Sequence, residues 1–327
     1  MEKILVIQTA STGDVILLTS LLEKLHHKFE GARLDVLVKK PNHTLFVAHP
    51  YVNNVWIWDK GKRKYMNLLT LCESIRKERY DVVFCVQRFF SAGLITLCSG
   101  ARNRIGFDKN PLSLFFTRRV RHRIGSGIHE TDRNISLMEG MWCDKAPKPR
   151  LYPSQKDFAA VSRYKQGVYY TISPSSLWST KTLPVEKWVG LANVADKDCM
   201  IYLLGSDKDR EVCERIRRES SCDNIMNLSG RLSLLASAAL MRDAKMNFCN
   251  DSAPLHLASA VNAPVTAVFC STTPDFGFGP LSDDSLVVEA EPKPSCKPCG
   301  LHGARKCPRS TYECGINVDV RKLIDRL

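Results

Sequence analysis

A chain of 327 residues is long for one doubly wound α/β unit and sufficient for two. With 44% apolar and 25% charged residues it has the composition of a globular protein, which excludes disordered and collagen-like classes. Its net charge of +13 is unevenly placed: residues 1–150 hold 25 Lys or Arg against 14 Asp or Glu, and residues 151–327 hold 22 against 20.

A basic first half beside a near-neutral second half predicts an acidic partner that docks mainly on the first half. Nucleic acid, anionic lipid and a phosphorylated glycan all qualify. No stretch offers roughly 20 clean apolar residues. The richest early run is broken by Glu23 and lacks the basic lead and small-residue cleavage site of a signal peptide. A cytoplasmic location is therefore expected, and with it reduced thiols: nine of the thirteen cysteines sit singly, such as Cys85, Cys199, Cys249 and Cys270 in apolar runs.

In chain order, the apolar run Ile4-Leu5-Val6-Ile7 reads as a strand and leads into a small polar loop, 8–13. Leu18, Leu21, Leu22, Leu25 and Phe29 then repeat with a helical period. Further strands are expected at 34–38, 55–58 and 82–86, alternating with helices at 65–79, 91–98 and 130–142. After Pro147, Pro149 and Pro153 the pattern restarts. Strands are expected at 168–173, 200–204, 246–250, 265–270 and 286–288. Helices fit 184–197, 208–220, 232–243 and 254–262, with Pro184 and Pro254 each suited to a first helical position. The closing residues 318–327 also read as helical. Alternation of this kind predicts an α/β fold of two Rossmann-like domains, 1–165 and 166–327, facing across a cleft.

The chemistry-bearing residues fall at predicted strand ends, where open α/β sheets place their ligands. Asp14 closes the loop Ala10-Ser11-Thr12-Gly13 and opens the first helix, as a helix cap or as a base. Asn250-Asp251-Ser252-Ala253-Pro254-Leu255-His256 passes from strand to helix. Backbone N–H groups there form an anion site, which Ser252 and His256 would extend. Ser175, Ser176 and Lys181 supply hydroxyls and an ammonium suited to a diphosphate. Neither G-x-G-x-x-G nor G-x-x-x-x-G-K-[ST] follows a strand, which argues against dinucleotide and P-loop chemistry. Cys296, Cys299, Cys307 and Cys314 form a C-x-x-C followed by two further thiols, a pattern compatible with zinc or with a free-thiol or disulfide-capable structural loop.

Several of these stretches together resemble the ADP-heptose:lipopolysaccharide heptosyltransferase family, inverting glycosyltransferases of the GT-B fold. The likeness runs over nearly the whole chain: the opening 4–15, Arg104 to Phe107, Lys181 to Pro184, Leu228 to Arg231, Asn250 to Ala260 and Pro274 to Pro280. The resemblance implies Asp14 as the general base that deprotonates the acceptor hydroxyl. It implies Lys181, with Ser175 and Ser176 beside it, as the group neutralising the donor phosphates. Asp251, Ser252 and His256 would hold the ADP-sugar, and Asp209 would lie near its ribose. Arg88, Arg102 and Arg104 would receive an anionic lipopolysaccharide precursor, with peripheral contact to the inner membrane surface. No cofactor is required for such catalysis, and a structural zinc at the cysteine cluster is the remaining metal expectation. Ala253 and Cys270 stand where the family usually has glycine. With those departures the resemblance also admits a glycosyltransferase using another nucleotide sugar, and net charge with the cysteine tail admits a basic nucleic-acid-binding protein with a zinc-like cysteine cluster.

Overall fold

The structure, a computed structural model, describes residues 2–61, 63–125, 127–140 and 146–327. The chain divides into two compact units, Met1–Tyr152 and Pro153–Leu327.

In the first unit β1 (Lys3–Gln8), β2 (Arg33–Lys39), β3 (Val52–Trp58), β4 (Val82–Cys85), β5 (Asn103–Phe107) and β6 (Arg118–Val120) form one sheet in the order β3-β2-β1-β4-β5-β6. Every pairing is parallel. Parallel strands covered on both faces read as unbroken apolar runs, which is why Leu5, Val6 and Ile7 are all fully buried. The helices are α1 (Thr12–Lys28), α2 (Lys64–Glu78), α3 (Phe90–Cys98) and α4 (Glu130–Ser136). Leu68, Leu71 and Ile75 of α2 and Ala92 and Ile95 of α3 pack on Leu5, Ile7, Leu37 and Val83 of the sheet, while α1 packs against α4.

The second unit opens with α5 (Gln155–Val161) and continues with β7 (Tyr169–Ser173), α6 (Val185–Val194), β8 (Met200–Leu203), α7 (Arg210–Glu219) and β9 (Ile225–Asn227). It is completed by α8 (Leu234–Arg242), β10 (Met246–Asn250), α9 (Ala253–Ala260), β11 (Val265–Val268), β12 (Ser285–Val288), α10 (Glu313–Ile316) and α11 (Arg321–Ile324). Its sheet order, β12-β11-β10-β7-β8-β9, repeats that of the first unit, again all parallel. Trp188 and Leu191 of α6, Ile216 of α7 and Leu323 of α11 join Ile172, Leu203 and Phe248 in one core. The chain end thus packs on the second unit, where Lys187 Nζ donates to the Val318 carbonyl at 2.6 Å.

Some local expectations are corrected. The helix expected over 130–142 ends at Ser136, with 141 and 142 outside the described residues. Pro184 is the residue before α6 rather than its first turn, with an extended ψ of 141°. The strand expected to reach residue 270 stops at Val268. Helix α5 was not anticipated. It belongs to the second unit, where Asp157 accepts from Ser233 Oγ at 3.3 Å and Arg242 lies 4.2 Å over the Phe158 ring. The observed division therefore falls before the expected junction at 165.

Candidate active site

Both sheets reverse direction at one place, between β1 and β4 in the first and between β7 and β10 in the second. At such a switch point the flanking loops diverge to opposite faces and leave a crevice at the carboxyl ends of the strands. The polar residues singled out in the sequence gather chiefly there.

In the first unit Asp14 sits in the opening turn of α1, where its carboxylate accepts from Ser11 N (3.2 Å) and from the Ser11 hydroxyl. It is therefore a capping residue and remains partly exposed. Neighbouring strand ends fix the loop before it. Thr9 N and Oγ1 donate to Gln87 Oε1 at 3.2 and 2.5 Å, Asn42 Nδ2 donates to the Ala10 carbonyl at 3.2 Å, and Thr12 Oγ1 lies 2.9 Å from Asn42 Oδ1. Lys60 Nζ donates to the Thr9 carbonyl at 3.1 Å. Burial, with Lys39 and Lys64 nearby, brings the Lys60 ammonium down to about 8.

Arg88 follows β4 on the other side of the switch point. The charges of both Asp14 and Arg88 act on Glu130, the first residue of α4, whose carboxyl is pushed up to about 7 by burial. Arg133 partners that buried carboxyl, with Nε at 2.8 Å and Nη2 at 2.6 Å from Oε2. Lys60, Glu130 and Arg133 were not singled out in the sequence. The spacing of Glu130 and Arg133 on a helix was the available sign of their pairing.

Arg102 and Arg104 are placed elsewhere. Arg102 precedes β5 and Arg104 is level with Val83 in the sheet register, toward the amino-terminal edge and away from the Asp14 loop. Arg104 directs Nη1 to the Ala101 carbonyl at 2.5 Å and Nη2 to that of Phe115 at 3.5 Å. The expectation that these two arginines share a site with Arg88 is not met, because a strand carries its first and last residues to opposite edges of a sheet.

In the second unit Lys181, in a 3-10 turn after β7, forms an ion pair with Asp251 at 2.7 Å. Both side chains are largely buried, and Asp251 Oδ2 also accepts from Thr272 Oγ1 at 2.5 Å. Asn250, the last residue of β10, ties the two loops together: Oδ1 accepts from Leu183 N at 2.9 Å and Nδ2 donates to the Pro174 carbonyl at 2.7 Å. Ser252 is the N-cap of α9 without a side-chain cap bond. The backbone N–H groups of that first turn are the positive end of the helix dipole, which favours an anion. His256 is buried within α9, edge-on to Phe278 with ring centres 6.4 Å apart. Ser175 and Ser176 lie just beyond β7, both partly exposed. Asp209 lies beyond β8, where its Oδ2 accepts from Ser206 N and Oγ, both at 2.7 Å. That carboxylate caps its own turn.

The cysteine segment lies against the same loops. Cys296, Cys299 and Cys307 line one recess with Arg309. Backbone N–H groups of Tyr312, Arg309, Ser310 and Thr311 converge on the Cys307 sulphur and lower its pKa. Burial and the neighbouring thiols push Cys314 up to about 11. Soft sulphur donors with amide support suit a thiophilic cation. Among the described residues, however, no three His, Cys, Asp or Glu side chains are gathered closely enough to hold one.

A model described as glycosyltransferase family 9 (heptosyltransferase) matches residues 68–303. Lipopolysaccharide heptosyltransferase 2 of Escherichia coli (strain K12) is 25% identical, over 99% of this chain and 97% of its own length. Lipooligosaccharide heptosyltransferase 2 of Haemophilus influenzae is 34% identical, over 87% of this chain and 88% of its own. Among solved structures, E. coli ADP-heptose lps heptosyltransferase II aligns with a TM-score of 0.82 at 22% identity, covering 99% and 97% of the two chains. An E. coli heptosyltransferase solved with ADP aligns at 0.71 and 19% identity, over 87% and 92%. At those identities the structural likeness is one of fold. The family model and the sequence relatives carry the assignment further: this chain belongs to glycosyltransferase family 9, the heptosyltransferase family, and is a glycosyltransferase built from two Rossmann-like domains.

Proposed function

We propose that this enzyme transfers a heptose, with inversion, from ADP-heptose to the acidic inner core of a lipopolysaccharide precursor. The observation that carries the reading is the Lys181–Asp251 pair at the switch point of the second sheet. It holds one ammonium on Asp251, two residues before α9; with that helix's first turn and the hydroxyls of Ser175, Ser176 and Ser252 contributing, such a cation would suit a diphosphate. Asp251 orients Lys181, and His256 backs the turn from inside the helix. Asp209, committed to its cap, would reach a ribose only through its second oxygen.

In the reaction Asp14 takes the proton of the acceptor hydroxyl as that oxygen attacks the anomeric carbon from the face opposite the diphosphate. The bond from that carbon to the diphosphate oxygen breaks, its electrons leave with ADP, and Lys181 with the backbone amides meets the growing negative charge. Arg88 and Lys60 are the cations beside the Asp14 loop that would receive the acceptor's phosphates. The chemistry calls on no cofactor. A nucleic-acid role is not favoured for a chain of this family.

Two finer elements complete the proposal. The early turns of α2 and α3 present exposed Tyr65, Met66, Phe89 and Phe90 beside Arg63, Lys64 and Arg88. Apolar groups amid basic ones suit peripheral contact with an anionic inner-membrane surface, from the cytoplasmic side. No helix among the described residues is long and apolar enough to cross a membrane. Cys296, Cys299, Cys307 and Cys314 would hold a structural zinc ion only if their side chains drew closer together than they stand among the described residues; the reading rests on their thiol chemistry and is tested by metal analysis of the purified protein.

The experiment for the whole is isothermal titration with ADP and ADP-heptose, followed by an acceptor assay. Binding of both, lost in Lys181→Ala, supports the donor assignment. A response to a UDP- or GDP-sugar instead would keep the glycosyltransferase and change its donor.

A further inference from the structure

The cysteine-rich segment, 296–314, does more than close the second unit. Its middle is laced to the loop that carries Lys181. Thr180 N donates to the Ala304 carbonyl at 3.2 Å, and Ala304 N donates back to Thr180 Oγ1 at 2.7 Å. Thr180 Oγ1 also lies 2.9 Å from the Ala304 carbonyl and 3.0 Å from Ser271 Oγ. Ser271 is held in turn by Cys299, whose N–H donates to the Ser271 carbonyl at 2.8 Å. On the flanks, the Ser179 hydroxyl donates to the Arg305 carbonyl. The Tyr312 hydroxyl reaches the carbonyls of Ser179 and Thr180, each at 3.3 Å, and that of Thr182. The Trp178 and His302 rings stack nearly parallel, 6.5 Å apart.

Gly303 shows how tight this lacing is. Its φ of +73° favours glycine, and a Cβ there would fall 2.9 Å from Ser271 Oγ and 3.0 Å from both Thr180 Oγ1 and the Lys181 Cγ. The strap thus rests directly on the aliphatic stem of Lys181, while Asp251 holds the ammonium at its other end. Thr272, which donates to Asp251, is the neighbour of Ser271. One short stretch of tail therefore braces both partners of the ion pair.

We infer that the strap 300–312 is a working wall of the donor site, with Thr180, Gly303 and Tyr312 acting as positioning residues that aim Lys181 at a nucleoside diphosphate. This rests on the reading of Lys181 as a phosphate ligand. A 3-10 turn of three residues has little rigidity of its own. Without the strap the lysine would sample many rotamers, and each would have to be given up on binding. Preorganisation also serves the chemical step, since a fixed cation stabilises leaving-group charge without having to reorganise.

The test measures ADP affinity by calorimetry, kcat, and the thermal midpoint for Thr180→Val, Thr180→Ser, Tyr312→Phe and Lys181→Ala. Thr180→Val removes the hydroxyl that links Ala304 to Ser271 yet keeps the side-chain shape. ADP binding about tenfold weaker, with kcat also reduced and Thr180→Ser restoring both, is the expected result. Tyr312→Phe should move the same way by a smaller factor. A purely structural strap would lower the thermal midpoint and leave the ADP affinity of the folded protein at the wild-type value, which would overturn the inference. Lys181→Ala separates the two levels. If it loses ADP binding while Thr180→Val and Tyr312→Phe retain it, the brace fails and the donor assignment stands. If Lys181→Ala binds ADP as well as wild type does, the donor assignment itself falls and the inference with it.

Discussion

The two units share one sheet order, strand for strand, and use it for opposite charges. In the first, the switch point presents a partly exposed carboxylate, Asp14, held by the cap of its own helix. In the second, it presents a largely buried cation, Lys181, held by Asp251 from a different strand end. The first loop is pinned by side chains just beyond the ends of adjacent strands, Asn42 and Gln87. The second is pinned by a segment more than a hundred residues downstream. The lesson is that the fold supplies the position and the local partners supply the chemistry. On the proposed roles, a carboxylate that accepts a proton would keep some contact with solvent, whereas a cation that meets a diphosphate would gain strength from being buried and fixed.

The sharpest way to break this contrast is Asp14→Asn. It should lower kcat by about 10²- to 10⁴-fold, the range of general-base catalysis, with ADP affinity unchanged by calorimetry. A parallel loss of ADP affinity would mean that the first unit's switch point is not reserved for proton transfer. Lys181→Met should weaken ADP binding by roughly ten- to a hundredfold, as expected for a lost charge-assisted contact. It also leaves Asp251 buried without its cation, so the thermal midpoint should fall.

A smaller effect separates the arginines. Arg88→Ala should raise the acceptor KM by about tenfold, while Arg104→Ala should change it by less than about twofold. Equal effects would place the acceptor along the sheet rather than at its carboxyl edge.

The last prediction touches stability rather than turnover and belongs to the first unit alone. His49 is buried among His26, Tyr51 and Tyr152, and neither ring nitrogen has a hydrogen-bond partner among the described residues. Burial, with the nearby His26, brings it down to about 4. The folded state therefore holds the neutral ring, and protonation below the ordinary value near 6.5 favours the unfolded chain. Stability should fall by on the order of 1–3 kcal/mol as pH drops from about 6.5 toward 4. Glu130 works the other way. Its carboxyl, raised to about 7 by burial, favours the protonated fold, so its contribution is lost as pH climbs from about 4.5 through 7. His49→Phe, followed by urea unfolding at pH 5 and pH 7.5, should remove the acid-side loss and expose the Glu130 trend. An unchanged pH profile would refute the histidine's part.

Much of the fold is legible in the sequence because a buried parallel strand is an apolar run whatever lies around it. The strands beginning at Lys3, Tyr169 and Met246 are of this kind. Two strands at the sheet edges were harder to see. Arg118–Val120 and Ile225–Asn227 have three residues each, too few for a period to register. Helix α4 ends early because its apolar spacing continues into a turn at 137–140 that the backbone does not keep helical. Of the site, the loops after strands could be named from sequence, since a small polar stretch between a strand and a helix is a local feature. Arg102 and Arg104 were grouped with Arg88 as what the resemblance implies for a basic first half, and neither resemblance nor composition says which edge of a sheet a side chain occupies.

The sequence by itself therefore determined two doubly wound units, their strand-end loops, and Asp14, Lys181 and Asp251 as the groups to watch. These follow from periodicity and turn chemistry, which act over a few residues. Only the tertiary structure decided that Lys181 meets Asp251, that Glu130 feels Asp14 and Arg88, and that the cysteine strap lies on the lysine's stem. Those contacts join residues distant along the chain, and their energy falls steeply with separation. They exist only once packing has brought the strand ends together.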